Sequence, residues 1–413
     1  MNNNEARRCL LCKKPKCSIT GCPVHTPVPE CMELYKEDRL DEAGKLLFDN
    51  NPLSAITSRV CDWRQFCFGN CVLNVKKMPV RWYEIEKEIS ARYLPWVKLE
   101  RESDELAGKT VAIVGTGPVG IAATVWLYRM GAEITLYDSN RHIGGVLRYG
   151  IPTFRLDPIL VEAYERLILG AGIEFRSKVK IGSDLSLATL SEDYDIVLIG
   201  AGADKPSRLG IPGEDSPMVL EALPFLKEPG AFNLGKKVIV IGGGNVAMDV
   251  SRTAVRHGAE TWIYYRKTYE NMPANPFEVE EAQREGVNIA VFQAPVEVRE
   301  GEVVFRDCEN FRNPYSGRLE TRIIEGTEHV VECDTLIPAI SEKPDFHVVA
   351  GLRPVRDEKG WVAVGQDGLV SFEDNLYNNI YAAGDFVLGP STIVQAVAST
   401  KVAVNAIKER FSR

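Results

Sequence analysis

Nowhere in the 413 residues is there a run of about 18 apolar residues, so no segment is expected to span a membrane. Positive charge is not in excess either: the net charge is −8, which argues against a basic surface for nucleic acid. Histidine is scarce, and His25, His142 and His257 form no triad pattern with a serine or cysteine. The opening MNNNEARRCLLCKKPKC has two arginines but lacks the apolar stretch of a secretory signal, which makes the cytoplasm the expected compartment. Low-complexity segments are missing as well. What remains is 45% hydrophobic and 26% charged, an ordinary globular profile long enough for two or three domains.

Cysteine is unevenly spread. Eight of the ten precede residue 72, and only Cys308 and Cys333 lie beyond. A disulfide framework is unusual in a large cytosolic protein, whereas a local cysteine block there signals metal or cluster ligation. The block reads Cys9-x2-Cys12-x4-Cys17-x4-Cys22-Pro23, then Cys61-x5-Cys67-x3-Cys71. Closely spaced cysteines ending in Cys-Pro suit a [4Fe–4S] cube, and the last of such a run often serves the other cluster. Seven ligands are one short of two cubes, so either a non-cysteine ligand completes the second or one site is incomplete. Zinc is the rival occupant by ligand softness. Cys31, Cys308 and Cys333 read as small buried residues.

Three textures follow one another along the chain. Residues 1–108 carry the cysteines among short helical stretches such as Pro29–Leu47 and Trp82–Leu94, with little strand signal. From Lys109 apolar strands alternate with amphipathic helices: TVAIVG, a helix, EITLYD. A second copy starts at Lys236 with KVIVIGGG, a helix, TWIYYR, and the NNIYAAGDF tail returns to the first texture. The expected fold is α/β: a helical N-terminal iron–sulfur domain and two Rossmann-like dinucleotide-binding domains, the second inserted into the first. The expected boundaries are 1–108 for the cluster domain, 109–235 with 335–413 for the first nucleotide domain, and 236–334 for the second.

The first glycine motif is Gly115-Thr-Gly117-Pro-Val-Gly120, between a strand and a helix. Gly115 permits the tight turn, Gly117 lets the backbone approach a pyrophosphate, and Gly120 lets the helix pack close. Asp138, at the end of the next strand, is the acid expected to bind ribose hydroxyls. The second motif, Gly242-Gly-Gly244-Asn245-Val-Ala247, leads to a strand ending in Arg266-Lys267 instead of an acid. A cationic pair there favours the 2′-phosphate of NADPH over NADH. Two such sites and a late Gly384-Asp385 resemble the two-dinucleotide-binding flavoprotein superfamily, in which that Gly-Asp lies beside FAD. No CxxC lies between Lys236 and Asp334, so a thioredoxin-reductase-like disulfide mechanism is not expected.

RCLLC…C…CPV, DNNPLSAITSRVC…C…C, GGVLRYGIPTFRL and GGGNVAMDV together resemble the glutamate synthase small-subunit family, which includes the N-terminal half of dihydropyrimidine dehydrogenase. The resemblance spans essentially the whole chain. It implies FAD contacts at Gly145 and Leu147, one cluster on Cys22, Cys61, Cys67 and Cys71, and another on Cys9, Cys12 and Cys17 completed by Glu86. It also implies an NADPH-oxidising subunit that passes electrons through FAD and two [4Fe–4S] clusters to a partner, plausible forms of which are an FMN-containing reductase barrel or a synthase large subunit. A hetero-oligomer follows from that. Three departures stand out: the four-residue Cys17–Cys22 spacing, Asp62 in place of a proline after Cys61, and Ser341 in place of a glycine. The alternatives are a subunit of a bifurcating NADH/ferredoxin:NADP transhydrogenase and a non-catalytic scaffold. No side-chain acid or base is obligatory for hydride transfer, so no catalytic residue is named.

Overall fold

The computed structural model describes residues 3–314, 319–374 and 376–412. In the cysteine-rich region helices α1 (Val28–Lys36), α2 (Leu40–Asn50), α3 (Ser54–Val60) and α4 (Trp82–Tyr93) pack around Met32, Tyr35, Leu47, Trp82, Ile85 and Ile89. Apolar residues three and four apart on α1, α2 and α4 supply that core. The cysteine segments wrap around it as irregular chain and short turns.

Then follow β1 (Thr110–Val114), α5 (Pro118–Arg129), β2 (Glu133–Asp138), α6 (Pro158–Gly170), β3 (Glu174–Ser177), α7 (Leu187–Asp193) and β4 (Ile196–Ile199). With the C-terminal strand Ile380–Ala382 they form a parallel sheet in the order C-terminal strand, β4, β1, β2, β3. β1 and β4 are buried apolar runs, as strands covered on both faces require. The C-terminal helix Ile393–Phe411 starts with a capping box between Thr392 and Gln395 and packs on α5.

One compact unit holds residues 1–148, 153–203 and 344–413, so the cysteine domain and this sheet fold together. The joint is the DNNP stretch. Trp126 Nε1 donates to the Asp49 carbonyl (3.0 Å), Arg129 to the Asp49 carboxylate (2.8 Å), and Lys401 Nζ to Asn50 Oδ1 (2.7 Å). The Tyr164 hydroxyl donates to the Pro52 carbonyl (2.6 Å).

The second unit comprises 149–152 and 204–343. Here α8 (Ala222–Lys227) precedes β5 (Lys237–Ile241), α9 (Asn245–Arg256), β6 (Glu260–Tyr265), α10 (Pro276–Arg284) and β7 (Asn288–Val291). An antiparallel sheet of β8 (Gln293–Arg299), β9 (Glu302–Arg312), β10 (Leu319–Ile323) and β11 (His329–Glu332) follows, and then β12 (Thr335–Pro338). The parallel sheet runs β12, β5, β6, β7. Residues 204–235, expected from sequence to go with the first nucleotide domain, fold into this unit. Lys205–Pro206 pairs with Glu342–Lys343, Val219 bridges Leu336, and α8 packs on α9. Their apolar residues Phe225, Leu226 and Leu234 belong to its core. No helix among the described residues is long and apolar enough to cross a membrane.

Candidate functional site

The first glycine turn is built so that only glycine fits. Gly115 has φ +95, and a Cβ there would stand 2.4 Å from the Gly200 carbonyl oxygen. A Cβ on Gly120 would lie 2.1 Å from the Gly115 carbonyl oxygen. Gly117 caps α5 with an extended backbone, and Gly145 (φ +51) comes so close that its Cβ would sit 2.7 Å from the Gly117 Cα. A narrow, side-chain-free cradle faces the N-terminus of a twelve-residue helix, the form a pyrophosphate needs. Leu147 is buried behind it.

Gly384 also closes on this turn: its Cβ would meet Val119 at 2.5 Å. Asp385 follows at the head of a short helix, its carboxylate accepting from the backbone N–H and hydroxyl of Ser391. Burial pushes this carboxyl up to about 6, although the Ser391 bonds pull the other way. Asp138 is buried and already occupied. One oxygen accepts from Thr116 N (2.8 Å) and Oγ1 (2.6 Å), the other from Asn140 N (2.8 Å) and Nδ2 (3.1 Å). A carboxylate has about four acceptor positions, so a ribose hydroxyl reaches Asp138 by displacing one of these, the Asn140 amide being the longest. Thr116, Ser391 and Gly200 are contributions that sequence reasoning missed. The Gly200-Ala-Gly202 that follows the apolar run IVLI was their only visible signal.

In the second unit Gly242 (φ +144) packs against the Ala339 carbonyl oxygen, and a Cβ on Gly243 would strike the Tyr265 ring at 2.7 Å. Gly244 faces open space at the N-terminus of α9, while Ala247 is buried in the core. Asn245 Oδ1 accepts from the Asn275 backbone (2.9 Å), so it orders the neighbouring loop. Arg266, at the end of β6, is exposed and Lys267 half-exposed, and among the described residues neither has an ion-pair partner. Ser341 has φ +145, a conformation that L-residues rarely adopt. Such strain costs about 1–3 kcal/mol. Ser341→Gly should therefore stabilise the protein by about 1 kcal/mol, after glycine's own entropic cost, and raise Tm by about 1 °C. An unchanged or lower Tm in a thermal melt refutes the strain.

The cysteines form no disulfide. Cys9, Cys12, Cys17 and Cys71, with Cys67 at the back, line one apolar cavity together with Val28, Val80 and Trp82. Cys9 interacts electrostatically with Cys12 and Cys71, and Cys17 with Cys71 and Cys9. Cys22 instead feels Glu86, and Cys61 feels Glu86 and Cys22. Cys67 faces Glu86, Cys61 and Cys22, and more weakly Cys17. The thiols therefore sort into Cys9, Cys12, Cys17, Cys71 and Cys22, Cys61, Cys67, with Glu86 beside the second and also near Cys31 on α1. This differs from the partition implied by the resemblance, which exchanged Cys71 and Glu86. The reason lies in chain direction. The turn Val72–Lys76 returns Cys71 to the N-terminal segment, while α4 packs on α3 and presents Glu86 to Cys61, the residue capping α3.

Burial pushes the Cys17 thiol up to about 11 and those of Cys61 and Cys67 well above the ordinary range. Burial likewise pushes Glu86 up to about 8, against a hydrogen bond from Trp82. Thiolates and a carboxylate this deeply buried need positive charge at their donor atoms, which iron supplies. The donor chemistry fits. Among the described residues no three His, Cys, Asp or Glu side chains converge as ligands of a single metal ion.

Comparisons with known proteins agree with the fold and with an iron–sulfur N-terminal region. Residues 109–400 match the pyridine nucleotide-disulphide oxidoreductase family, and residues 1–94 match the 4Fe–4S cluster domain II of dihydropyrimidine dehydrogenase. FprA of Mycobacterium tuberculosis in complex with NADPH shares the fold, at TM-score 0.61 and 18% identity, over 73% of this chain and 85% of that one. The glutamate synthase [NADPH] small chain of Escherichia coli K12 is 33% identical over 98% of this chain and 90% of its own length. The NADPH-Fe(3+) oxidoreductase subunit beta of Geobacter sulfurreducens is 30% identical over 94% of this chain and 62% of its own. Fold and site thus define an FAD-dependent NADPH oxidoreductase with a [4Fe–4S] domain. The chain belongs to the glutamate synthase small-chain family of electron-transfer flavoproteins.

Proposed function

We propose that the chain is the NADPH-oxidising half of a larger assembly, handing single electrons to a catalytic partner subunit through two [4Fe–4S] clusters. The observation that carries this is the fastening of the double cysteine set to the flavin domain through Asp49–Pro52. FAD accepts hydride as an electron pair and gives the electrons up one at a time, which lets a nicotinamide serve one-electron acceptors. The chain's own residues do the rest. Gly115, Gly117, Gly120 and Gly145 open the backbone to the FAD pyrophosphate, and Asp385 takes the polar chain of the flavin. Gly242 and Gly244 do the same for the nicotinamide nucleotide, and Arg266 with Lys267 receives its 2′-phosphate. Cys9, Cys12, Cys17 and Cys71 hold one cluster; Cys22, Cys61, Cys67 and Glu86 hold the other.

That the relatives are small chains of glutamate synthase supports a large catalytic partner. An FMN-containing reductase barrel or a synthase large subunit is the partner this reading expects. The domain limits that accompany this reading are a cluster region at 1–108, an FAD domain at 109–203 with 344–413, and an NADPH domain at 204–343.

Cofactor load tests the ligand sets. The purified protein should hold about eight irons and about eight acid-labile sulfides per chain alongside one FAD. Glu86→Ala should lower iron to about four per chain and leave FAD bound. Four irons in the unmodified protein removes Glu86 as a ligand, and stoichiometric zinc removes the clusters altogether.

A further inference from the structure

The cysteine domain carries a charge pattern opposite to that of the chain as a whole. Between Ala6 and Pro29 every charged residue is basic, and the same is true between Trp63 and Tyr83, in a protein of net charge −8. Cys9, Cys12, Cys17 and Cys71 all lie in these two acid-free stretches. The fold joins them into one face. Arg8 donates to the Met78 carbonyl, and Leu10, Lys16 and Leu73 line the same cavity as the four cysteines. The turn bearing Lys76 follows Cys71 directly.

The charges on this face are free to act outward. Arg8 and Arg81 are committed to the buried carboxylate of Glu5. Arg7, Lys13, Lys14, Lys16, Lys76 and Lys77 are exposed, and among the described residues none has an ion-pair partner. Between them stand exposed apolar side chains: Leu10 at 61%, Val75 at 92% and Met78 at 59%. An apolar centre ringed by charge of one sign is the arrangement of a transient interface, where the rim steers encounter and the centre is desolvated on contact.

We infer that this face, around Leu10, Val75 and Met78, is the docking surface for an electron-accepting protein that presents an acidic rim. It rests on the exit of electrons through the cysteine domain proposed above and adds the chemistry that selects the recipient. Each NADPH oxidised to NADP⁺ supplies two electrons and releases one proton, so two one-electron equivalents leave through this face per nucleotide.

The probes are oxidised rubredoxin, which is acidic, and horse cytochrome c, which is basic, each reduced by the cofactor-loaded full-length protein with NADPH. A neutral quinone reports the flavin alone. Rubredoxin reduction should fall about tenfold or more between ~20 mM and ~300 mM salt, while cytochrome c reduction should not fall. The triple variant Lys13→Glu/Lys14→Glu/Lys76→Glu should lose at least about tenfold on rubredoxin and flatten its salt dependence, with quinone reduction unchanged. Should that variant lose iron, Lys13→Gln/Lys76→Gln takes its place, with a loss of about threefold at low salt. Reduction of both proteins with no salt or charge effect overturns the docking surface and leaves the electron exit standing. Reduction of neither, with the quinone still reduced, overturns the exit and the surface together.

Discussion

Cys61→Ser and Cys67→Ser proteins should be reduced by NADPH at their FAD as fast as the unmodified protein, yet fail to support turnover of the partner subunit. The expected loss is at least about 100-fold, equivalent to ~2.7 kcal/mol of barrier. Cys61 caps α3 and Cys67 is buried between the two thiol sets, so removing either sulfur interrupts the set nearest the flavin joint. Stopped-flow bleaching of the flavin reads the first half of the reaction, and product formation with the partner reads the second. Cys31→Ala is the control. That thiol is equally buried but sits on α1 within the helical core, and its loss should leave iron content and coupling intact. Partner-dependent activity that survives in the Cys61 and Cys67 variants removes the cysteine domain from the electron path.

Arg266→Ala should raise KM for NADPH about 10- to 100-fold and leave KM for NADH within about twofold, since a charge-assisted bond to phosphate is worth roughly 1.5–3 kcal/mol. The side chain is exposed and has no ion-pair partner among the described residues, so its removal should disturb no packing. Arg266→Lys should recover part of the loss, because a lysine keeps the charge but not the two-pronged geometry. Equal damage to both nucleotides shows that Arg266 supports the loop and does not read the 2′-phosphate.

Much of this architecture was legible because it rests on short-range rules. A strand, a glycine turn and a helix occupy about thirty contiguous residues, so both nucleotide turns could be located from Gly115–Gly120 and Gly242–Ala247 alone. The occupied state of Asp138 was not legible: the Thr116 hydroxyl and Asn140 amide that fill its acceptor positions carry no motif. Nor was the sorting of the cysteines. Spacing shows that Cys71 is a thiol at the end of a run, but which set it joins depends on the turn that folds Val72–Lys76 back on the N-terminal segment. Residues 204–235 were misplaced for a related reason. Their strand and bridge partners, Glu342–Lys343 and Leu336, lie more than a hundred residues away.

The joint at Asp49–Pro52 has a consequence for kinetics in thick media. Hydrogen bonds from α5, α6 and the C-terminal helix hold Asp49, Asn50 and Pro52 ahead of α3, so the separation between flavin and iron is set once, when the chain folds. No diffusive search stands between those two cofactors. Sucrose or glycerol should slow whichever steps need encounter with nucleotide or partner, in proportion to viscosity, while the passage of an electron from flavin to iron keeps its rate.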